Sequence, residues 1–425
     1  MSYIQLPEEI WIHVFGFLSV RDKLSVRVSC TYFKGLVDHW ALWKDSVLLI
    51  QKPGVYDTHF WKTLSRRKVK SVVVEKAKAK VLQQIVLYLP WVTSVNLLEC
   101  SDDTALVTLA ALKHLDRLVI CQCSCRSLIS SLLSLRNLTH LCLCGVQRAS
   151  IVEIRNVLSQ LTNLTSLHYH DDKNPINKTA LHSLLTRLNN LKHLSLKMGP
   201  KYGILPVDYF CPAGACGHSA GEESVLNSLE LLNYEDSCLS PDAFSALSSL
   251  TKLSVHYTKC IFCPLACPLI KWLEELCVLS ELNISYGYSL EMYAGSIPRI
   301  VRRLSLMGVK ADLASVRILA KRLPELLHLH LDLCCHDISH IIAEMPQMFP
   351  KLQILKVRHY NVPASVFLQL KHLPRLRQLV ILDAPQGPSP AIQDLTQKLQ
   401  TQTNNRVHVL HSHLKDQTTC SCGFY

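Results

Sequence analysis

The chain has 425 residues, of which 48% are hydrophobic and 18% charged, with 45 Lys and Arg against 33 Asp and Glu. This balance predicts a well-packed chain, because disordered segments combine low hydrophobicity with high net charge. No run reaches about eighteen uninterrupted apolar residues, and Glu8 and Glu9 interrupt any signal peptide, so neither a membrane span nor secretion is expected. The 18 cysteines are then expected to be reduced thiols in the cytoplasm or the nucleus.

The N-terminal segment predicts a helix that begins after Leu6 and Pro7. Proline in a first turn costs no hydrogen bond, and Glu8 and Glu9 suit the positive end of a helix. Four apolar side chains then recur at helical spacing, at Ile10, Val14, Phe17 and Leu18. A second apolar set follows, with Leu24, Val26, Val28, Phe33, Leu36, Val37, Trp40 and Trp43. About forty residues cannot bury so much apolar surface alone, so this segment is expected to contact a partner or a neighbouring domain.

This segment resembles an F-box, the helical module through which substrate receptors bind a Skp-type adaptor in Skp–cullin–F-box ubiquitin ligases. The matching residues also include Asp22, Cys30 and the Leu42-Trp43 ending. The resemblance implies an adaptor-binding set of Leu6, Pro7, Glu9, Ile10, Val14, Phe15, Leu18, Leu24, Phe33 and Trp43. It also implies a cullin and a RING subunit that bind through the adaptor. Lys23 and Ser29 stand where the family has apolar residues, which predicts looser packing there. The alternative is an ordinary helical cap on a repeat protein.

A six-residue phrase, apolar-x-x-apolar-x-apolar, recurs along nearly all of the remaining chain. Its thirteen copies begin at Val69, Val92, Leu115, Leu138, Leu164, Leu191, Leu226, Leu250, Leu279, Val301, Leu326, Leu352 and Leu376. This period is the signature of leucine-rich repeats, in which each phrase is a short parallel strand and the return segment carries a helix. One repeat cannot bury its leucines alone, so neighbouring repeats are expected to stack into a curved solenoid.

The sequence therefore predicts an α/β fold, with a helical F-box followed by a solenoid that has a curved parallel sheet inside and helices outside. One return segment shows the helix signal, because Ser150 and Glu153 match a capping box. Beyond Asp383, a helix and the strand-like segment near Val407 are typical of a closing repeat. The expected domains are an F-box at 1–48, a leucine-rich-repeat solenoid at 49–383, a C-terminal capping repeat at 384–411 and a tail at 412–425.

Three cysteines occupy a position that the repeats define. After the phrase and two further residues, repeats of this type place an Asn or Cys that satisfies backbone groups in the turn. Cys100, Cys123 and Cys334 stand at this position. They are therefore predicted to be structural rather than chemical.

Two longer steps between phrases contain cysteine-rich loops, Cys211–Cys216 and Cys260–Cys267. The gap between Cys260 and Cys263 lets both thiolates reach one zinc ion, and Cys216 or His218 could complete the site. The remaining spacing is irregular, and prolines interrupt it. Free thiols, with no metal and no cofactor, are the preferred interpretation, and a zinc site is the alternative.

The same first loop contains a formal match to the Gly-x-Ser-x-Gly elbow of serine hydrolases, centred on Ser219. That elbow requires a strand that turns sharply into a helix. The residues before Ser219 are rich in Pro and Gly, so a polar loop is expected instead. The sequence thus predicts no catalytic residue.

Polar residues recur at the outward positions of the predicted strands. The expected substrate-binding residues are His168, His170, His256, Tyr257, Tyr286, His330, Lys356 and Arg358. Tyr, His, Lys and Arg together suit a surface that binds protein. Lys356 and Arg358 make the later half more basic, which favours an acidic or phosphorylated target. The alternative is a set of neutral, hydrogen-bonding surface side chains.

The net charge of +12 includes a concentration of cations between Lys62 and Lys80. A solvated face is the preferred interpretation, and a patch for an acidic or phosphorylated partner is the alternative. The segment lacks interleaved aromatic residues and any nucleic-acid-reading motif, so no nucleic-acid partner is predicted.

These features predict a non-catalytic substrate-recognition subunit of a Skp–cullin–F-box ubiquitin ligase. The repeats would bind the target protein and the F-box the adaptor. The alternative is a leucine-rich-repeat scaffold or inhibitor without ubiquitin transfer. Repeat surfaces recognise shape, so the sequence does not identify the substrate.

Overall fold

The computed structural model of the protein describes residues 6–51, 56–125, 128–146, 150–171, 174–211, 226–235, 238–261, 266–334, 338–359, 362–383 and 389–413. The chain forms two compact units, Met1–His168 and Tyr169–Tyr425. Within the described residues, no helix combines the length and the apolar character that crossing a membrane requires. Several residues of the predicted zinc and hydrolase motifs lie outside the described part of the chain, namely Cys216, His218, Ser219 and Cys263.

The first unit begins with helices and continues as alternating strands and helices. Its helices are α1 Glu8–Gly16, α2 Val20–Arg27, α3 Thr31–Val37, α4 Thr58–Arg67, α5 Ala79–Tyr88, α6 Ala105–Leu109, α7 Leu128–Ser131 and α8 Ile151–Leu158. Short 3-10 turns lie at Trp40–Leu42 and Leu132–Ser134. Its strands are β1 Val47–Ile50, β2 Ser71–Glu75, β3 Ser94–Leu98, β4 Arg117–Cys121 and β5 His140–Cys144, and the division between the units falls within β6 Ser166–His170. Strands β1 to β5 pair in chain order, all parallel.

The second unit repeats the same alternation. Its strands are β7 His193–Lys197, β8 Ser228–Tyr234, β9 Lys252–Cys260, β10 Glu281–Gly287, β11 Arg303–Val309, β12 His328–Leu333, β13 Ile354–Arg358, β14 Gln378–Asp383 and β15 His408–His413. Its helices are α9 Lys178–Arg187, α10 Pro268–Glu275, α11 Leu290–Tyr293, α12 Leu313–Arg322, α13 Ser339–Met348, α14 Ala364–Phe367 and α15 Pro390–Gln402. Short 3-10 turns lie at Pro200–Tyr202, Ala294–Ser296 and Leu368–His372. Strands β7 to β15 pair in chain order, all parallel.

All thirteen phrases form strands, β2 to β14, which confirms the leucine-rich-repeat prediction. Side chains alternate along each strand, so the apolar positions of the phrase face the helices. In β9, for example, Leu253 and Val255 are fully buried. Burying one such side chain contributes about 1.5–3 kcal/mol. The repeated phrase therefore accounts for the core between strands and helices in each unit.

Two further strands flank the thirteen. The predicted strand-like segment near Val407 is β15, while β1 has no full phrase and the sequence did not reveal it. Because β1 begins at Val47, the first strand starts within the segment that was expected to be F-box. The domain boundaries themselves remain predictions.

Helix starts follow the sequence signals. The hydroxyl of Ser150 accepts a hydrogen bond from the backbone N–H of Glu153 at 3.2 Å, and α8 begins at the next residue. Asp312 and Ser315 form a reciprocal capping box at the start of α12. Each cap accepts a hydrogen bond from a backbone N–H that has no partner within the helix, and such a cap typically stabilises the fold by about 1 kcal/mol.

Candidate interaction surfaces

The first helices pack around a small aromatic core. Phe15 is 3% exposed and lies with Trp43 among the buried residues. The rings of Trp11 and Phe33 contact each other with centroids 4.9 Å apart, and Phe33 also meets Phe15 at 5.4 Å. The indole N–H of Trp43 donates to the carbonyl of Val37. These contacts fix α1 and α3 against each other.

The opposite faces of α1 and α2 are apolar and exposed. On α1 the exposed residues Ile10, Val14 and Phe17 recur at helical spacing, and Phe17 is 80% exposed. Three exposed apolar residues, Val20, Leu24 and Val28, recur in the same way along α2. We call Leu6, Ile10, Val14, Phe17, Val20, Leu24 and Val28 the F-box surface. Such an apolar set on a small helical module is typical of a protein-binding surface.

The expected adaptor-binding residues divide into two groups by their exposure. Leu6, Pro7, Glu9, Ile10, Val14 and Leu24 are exposed, whereas Phe15 and Trp43 are buried, and Leu18 and Phe33 are half-buried. A buried side chain supports a surface from below rather than contacting a partner. Phe17, Val20 and Val28 were not among the expected residues, although Phe17 and Val28 stood in the apolar sets of the sequence.

Lys23 is buried, although its charge predicted looser packing. Its ammonium group donates to the carbonyl of Leu42 at 3.3 Å and lies 6.0 Å from the ring centroid of Trp43. The aliphatic stem therefore fills the position of an apolar residue while the charged group finds a carbonyl and an aromatic face.

A charged cluster joins the first helices to α4. The carboxylate of Asp38 accepts hydrogen bonds from Arg27 at 2.9 and 3.0 Å, and from Nε of Arg67 at 2.9 Å. The Arg67 guanidinium also lies 3.8 Å from the ring centroid of Trp43. Burial acts to raise the pKa of Asp38, but the hydrogen bonds and charges of the two arginines outweigh it and lower that pKa. These contacts thus hold the helices that carry the F-box surface in a fixed arrangement against α4.

In the second unit, one outward side chain of each strand forms a row across the sheet. Consecutive members are register partners: Ser195, Glu230, Ser254, Asn283, Ser305, His330 and Lys356. We call this set the central row. Neighbouring strands lie about 4.8 Å apart, so adjacent members can bond to one another. Asn283 donates to the hydroxyl of Ser254 at 2.9 Å, for example.

The first part of the central row is a continuous hydrogen-bonded chain. Ser195 donates to a carboxylate oxygen of Glu230 at 2.5 Å, and Nε2 of His170 lies 2.8 Å from the same hydroxyl. Nε2 of His256 lies 3.7 Å from the other oxygen of Glu230. Burial lowers the pKa of His256, and the charge of Glu230 opposes that effect.

This chain differs from a nucleophilic triad in its proton directions. In a triad the serine donates to histidine, which acts as the base. Here the hydroxyl proton of Ser195 is directed at the carboxylate, and the side chain is buried. The arrangement is suited to holding three strands in register rather than to attacking a substrate.

The later part of the central row carries the basic residues. Nδ1 of His330 lies 3.0 Å from the hydroxyl of Ser305, and Lys356 is exposed on the next strand. Burial and then the charge of Lys356 lower the pKa of His330 to about 4. Arg358 makes a two-point ion pair with Asp332, at 2.9 and 3.1 Å. The charge of Arg358 is thus matched within the protein, and the joint role of Lys356 and Arg358 in binding remains a prediction.

Two tyrosines that were expected on this face differ in their positions. Tyr286 is 46% exposed, whereas Tyr257 is buried against Tyr234 and Tyr288. Alternation explains the difference, since the side chain after outward-facing His256 must point to the core. Tyr257 is therefore a core residue, and its assignment to the surface was wrong. His168 is half-buried and belongs to the first unit.

The cations between residues 62 and 80 belong to several elements. Lys62 and Arg66 lie on α4, Lys70 precedes β2, and Lys78 precedes α5. Arg67 is buried with Asp38 and takes no part in the surface charge. The solvated face remains a prediction.

The cysteines support structural roles where the structure describes them. The Sγ of Cys123 accepts from the backbone N–H of Cys100 at 3.3 Å, and both residues are buried as predicted. Cys334 differs, because its side chain is exposed. The Sγ of Cys260 points to the carbonyl of Gly308 at 3.3 Å. No group of three metal-ligand residues in the described part of the chain includes a cysteine.

Comparisons with known proteins address the two parts of the chain separately. Residues 4–48 match the family model described as F-box-like. With the strands and helices above, the chain therefore combines an F-box-like domain with a leucine-rich-repeat fold. This is the architecture of an F-box/leucine-rich-repeat protein. A comparison with curated proteins found no match.

Several solved structures are similar to the chain at low identity and low TM-score. An internalin from Listeria monocytogenes is 18% identical, with a TM-score of 0.41 over 84% of this chain and 91% of the internalin. The structure of TLR13 in complex with ssRNA13 gives 16% identity and a TM-score of 0.41, over 86% of this chain and 54% of that one. A leucine-rich-repeat protein from Leptospira interrogans is 14% identical, with a TM-score of 0.34 over 92% of this chain and 98% of that one.

Proposed function

We propose that this chain is the substrate-recognition subunit of a Skp–cullin–F-box ubiquitin ligase. The F-box surface binds a Skp-type adaptor and, through it, a cullin and a RING subunit. The central row and its neighbours bind the substrate protein. The observation that carries this proposal is the exposed apolar F-box surface on a domain that matches the F-box-like family.

The chemistry of the F-box surface supports adaptor binding. Its residues project from two helices that an aromatic core and the Asp38 cluster hold in place, so little ordering entropy is lost on binding. Burying a whole apolar side chain contributes about 1.5–3 kcal/mol, and half-exposed side chains contribute roughly half of that. Several such residues together supply the free energy of a specific contact.

In this proposal the chain contributes proximity and no catalytic group. Holding a target beside a ubiquitin-charged enzyme raises the effective concentration of the reacting groups. The hydrogen-bonded chain around Ser195 fits this reading, because its serine proton is directed at Glu230. We place the protein in the cytoplasm or the nucleus, where a ligase of this kind and reduced thiols occur together.

The test compares two isoleucines that differ in place but not in exposure. Ile10 on α1 and Ile318 on α12 are each 46% exposed. Purified full-length Ile10→Asp is expected to lose at least about tenfold in affinity for a Skp-type adaptor, because a charge would be buried in an apolar contact. Ile318→Asp should bind as the wild type does.

Two results would contradict the proposal. One is a wild-type chain that does not co-precipitate the adaptor from cell extract, which would favour the scaffold or inhibitor reading. The other is equal loss of binding in both variants, which would show that the F-box surface is not the contact. Unchanged melting temperatures for both variants exclude unfolding as the cause.

A further inference from the structure

Two cations on the second unit share one carboxylate, and a third has no acidic partner among the described residues. Lys252 and Glu281 form an ion pair at 2.7 Å, and Arg303, which is 60% exposed, reaches the same carboxylate only at 3.9 Å. Lys356 is exposed, and among the described residues no acidic side chain forms an ion pair with it. Since Arg358 is matched by Asp332, the excess positive charge lies at Arg303 and Lys356.

Two histidines of β12 lie beside these cations. The register places Arg303 beside His328, and Lys356 beside His330. Nδ1 of His330 lies 3.0 Å from the hydroxyl of Ser305, and its Nε2 is buried. A ligand on this face therefore meets the two cations rather than the His330 ring nitrogens.

The two cations also affect the neighbouring histidines. Burial is the main cause that lowers the pKa of His330 to about 4; Lys356 contributes next, and Asp332 opposes it. Burial likewise lowers the pKa of His328, with contributions from Arg303 and Lys356 that Glu281 opposes.

Strand β10, next to β11, provides a further side chain that a ligand can reach. Ser285 on this strand is only 1% exposed and lies below the surface. The exposed Tyr286 follows it, with a left-handed backbone at φ 59°. Its ring packs on Gly308, because a Cβ there would lie 2.5 Å from the ring. An exposed aromatic side chain held in a strained backbone is typical of a binding anchor.

We propose that the face of β10 to β13 binds an acidic segment of a partner protein, whose carboxylates contact Arg303 and Lys356. Tyr286 packs against an apolar residue of the same segment. The proposal rests on the proposed function in that this partner is the ligase substrate.

The test uses short fluorescent peptides and the full-length protein without adaptor. An extended peptide of about six residues crosses four strands, since it rises about 3.3 Å per residue. One peptide carries alternating glutamates and one leucine, a second has glutamine in place of glutamate, and a third has one phosphoserine in place of the central glutamate. Fluorescence polarisation measures each affinity.

We expect the glutamate peptide to bind and the glutamine peptide to bind much more weakly. Lys356→Gln and Arg303→Gln should each weaken binding about two- to fivefold, as for exposed ion pairs. Lys321→Gln is the matched control, because Lys321 is exposed on α12 of the same repeats. It should change nothing. The His330 ring should titrate at a higher pH with peptide bound, since a nearby anion favours the charged form.

Several outcomes would overturn the inference. They are equal binding of the glutamine peptide, equal weakening by Lys321→Gln, and binding of the phosphoserine peptide alone. Because no adaptor is present, the result is independent of the F-box test. If the chain binds the adaptor but not the acidic peptide, the ligase proposal stands and this inference fails. If it binds the peptide but not the adaptor, the acidic-peptide site stands and the ligase proposal fails.

Discussion

Replacing Asp38 with Asn should loosen the base of the F-box surface. The carboxylate is 6% exposed and neutralises Arg27 and Arg67, whose side chains are 19% and 10% exposed. Removing one partner of a buried ion pair costs about 3–5 kcal/mol, because a buried charge remains unpaired. Asn keeps the shape and one acceptor, and Arg27 can still reach water. We therefore expect a loss of about 2–3 kcal/mol in local stability, which corresponds to roughly 30- to 150-fold in an opening equilibrium.

Hydrogen exchange measured by mass spectrometry tests this prediction segment by segment. Peptides from α1, α3 and α4 should exchange faster in Asp38→Asn, while peptides from β10 to β13 should be unchanged. Glu344→Gln is the control, because it breaks an ion pair with Arg317 that is exposed to solvent. Such pairs contribute at most about 1 kcal/mol. Exchange in α1 and α3 that rises less than about fivefold, or no more than in the control, would refute the reasoning.

Three further predictions concern single sites. Gly308→Ala should cost about 1–3 kcal/mol in thermal unfolding, because its φ of 62° disfavours a side chain and the new Cβ meets the Tyr286 ring; Tyr286→Ala should recover part of the loss. Cys123→Ala should cost about 1–2 kcal/mol by leaving a buried N–H unpaired, whereas Cys334→Ala, at the equivalent exposed position, should stay within about 0.5 kcal/mol. Neutral His330 has a folded pKa of about 4, below its usual 6.5, so its stabilising contribution is complete above pH 6.5 and is lost as the pH falls toward 4. The free energy of unfolding measured in urea should thus fall more between pH 7 and 5 in the wild type than in His330→Gln, by about 1 kcal/mol after allowance for solvent.

The strands could be predicted because their signal is local and repeated. Each phrase fixes its own alternation, and the period fixes which residues become neighbours. Because side chains alternate along β9 and His256 faces outward, the same rule would have placed Tyr257 in the core. At α1, helical spacing grouped Ile10, Val14, Phe17 and Leu18. The first three are exposed, whereas Leu18 packs against the aromatic core. The spacing did not show that the face of the first three is exposed while Phe15 on the other side is buried, because that depends on how α3 packs against α1.

Charge pairing was the least predictable feature of the candidate site. Lys356 and Arg358 occupy equivalent outward positions on β13, and their sequence context treats them alike. Asp332 lies 26 residues before Arg358, which is the offset that also pairs His330 with Lys356. The parallel pairing of β12 and β13 therefore brings its carboxylate to Arg358. Lys356 has His330 as its partner across the same strands. An anionic ligand is therefore expected to bind Lys356 more strongly than Arg358, because the charge of Arg358 is already paired with Asp332.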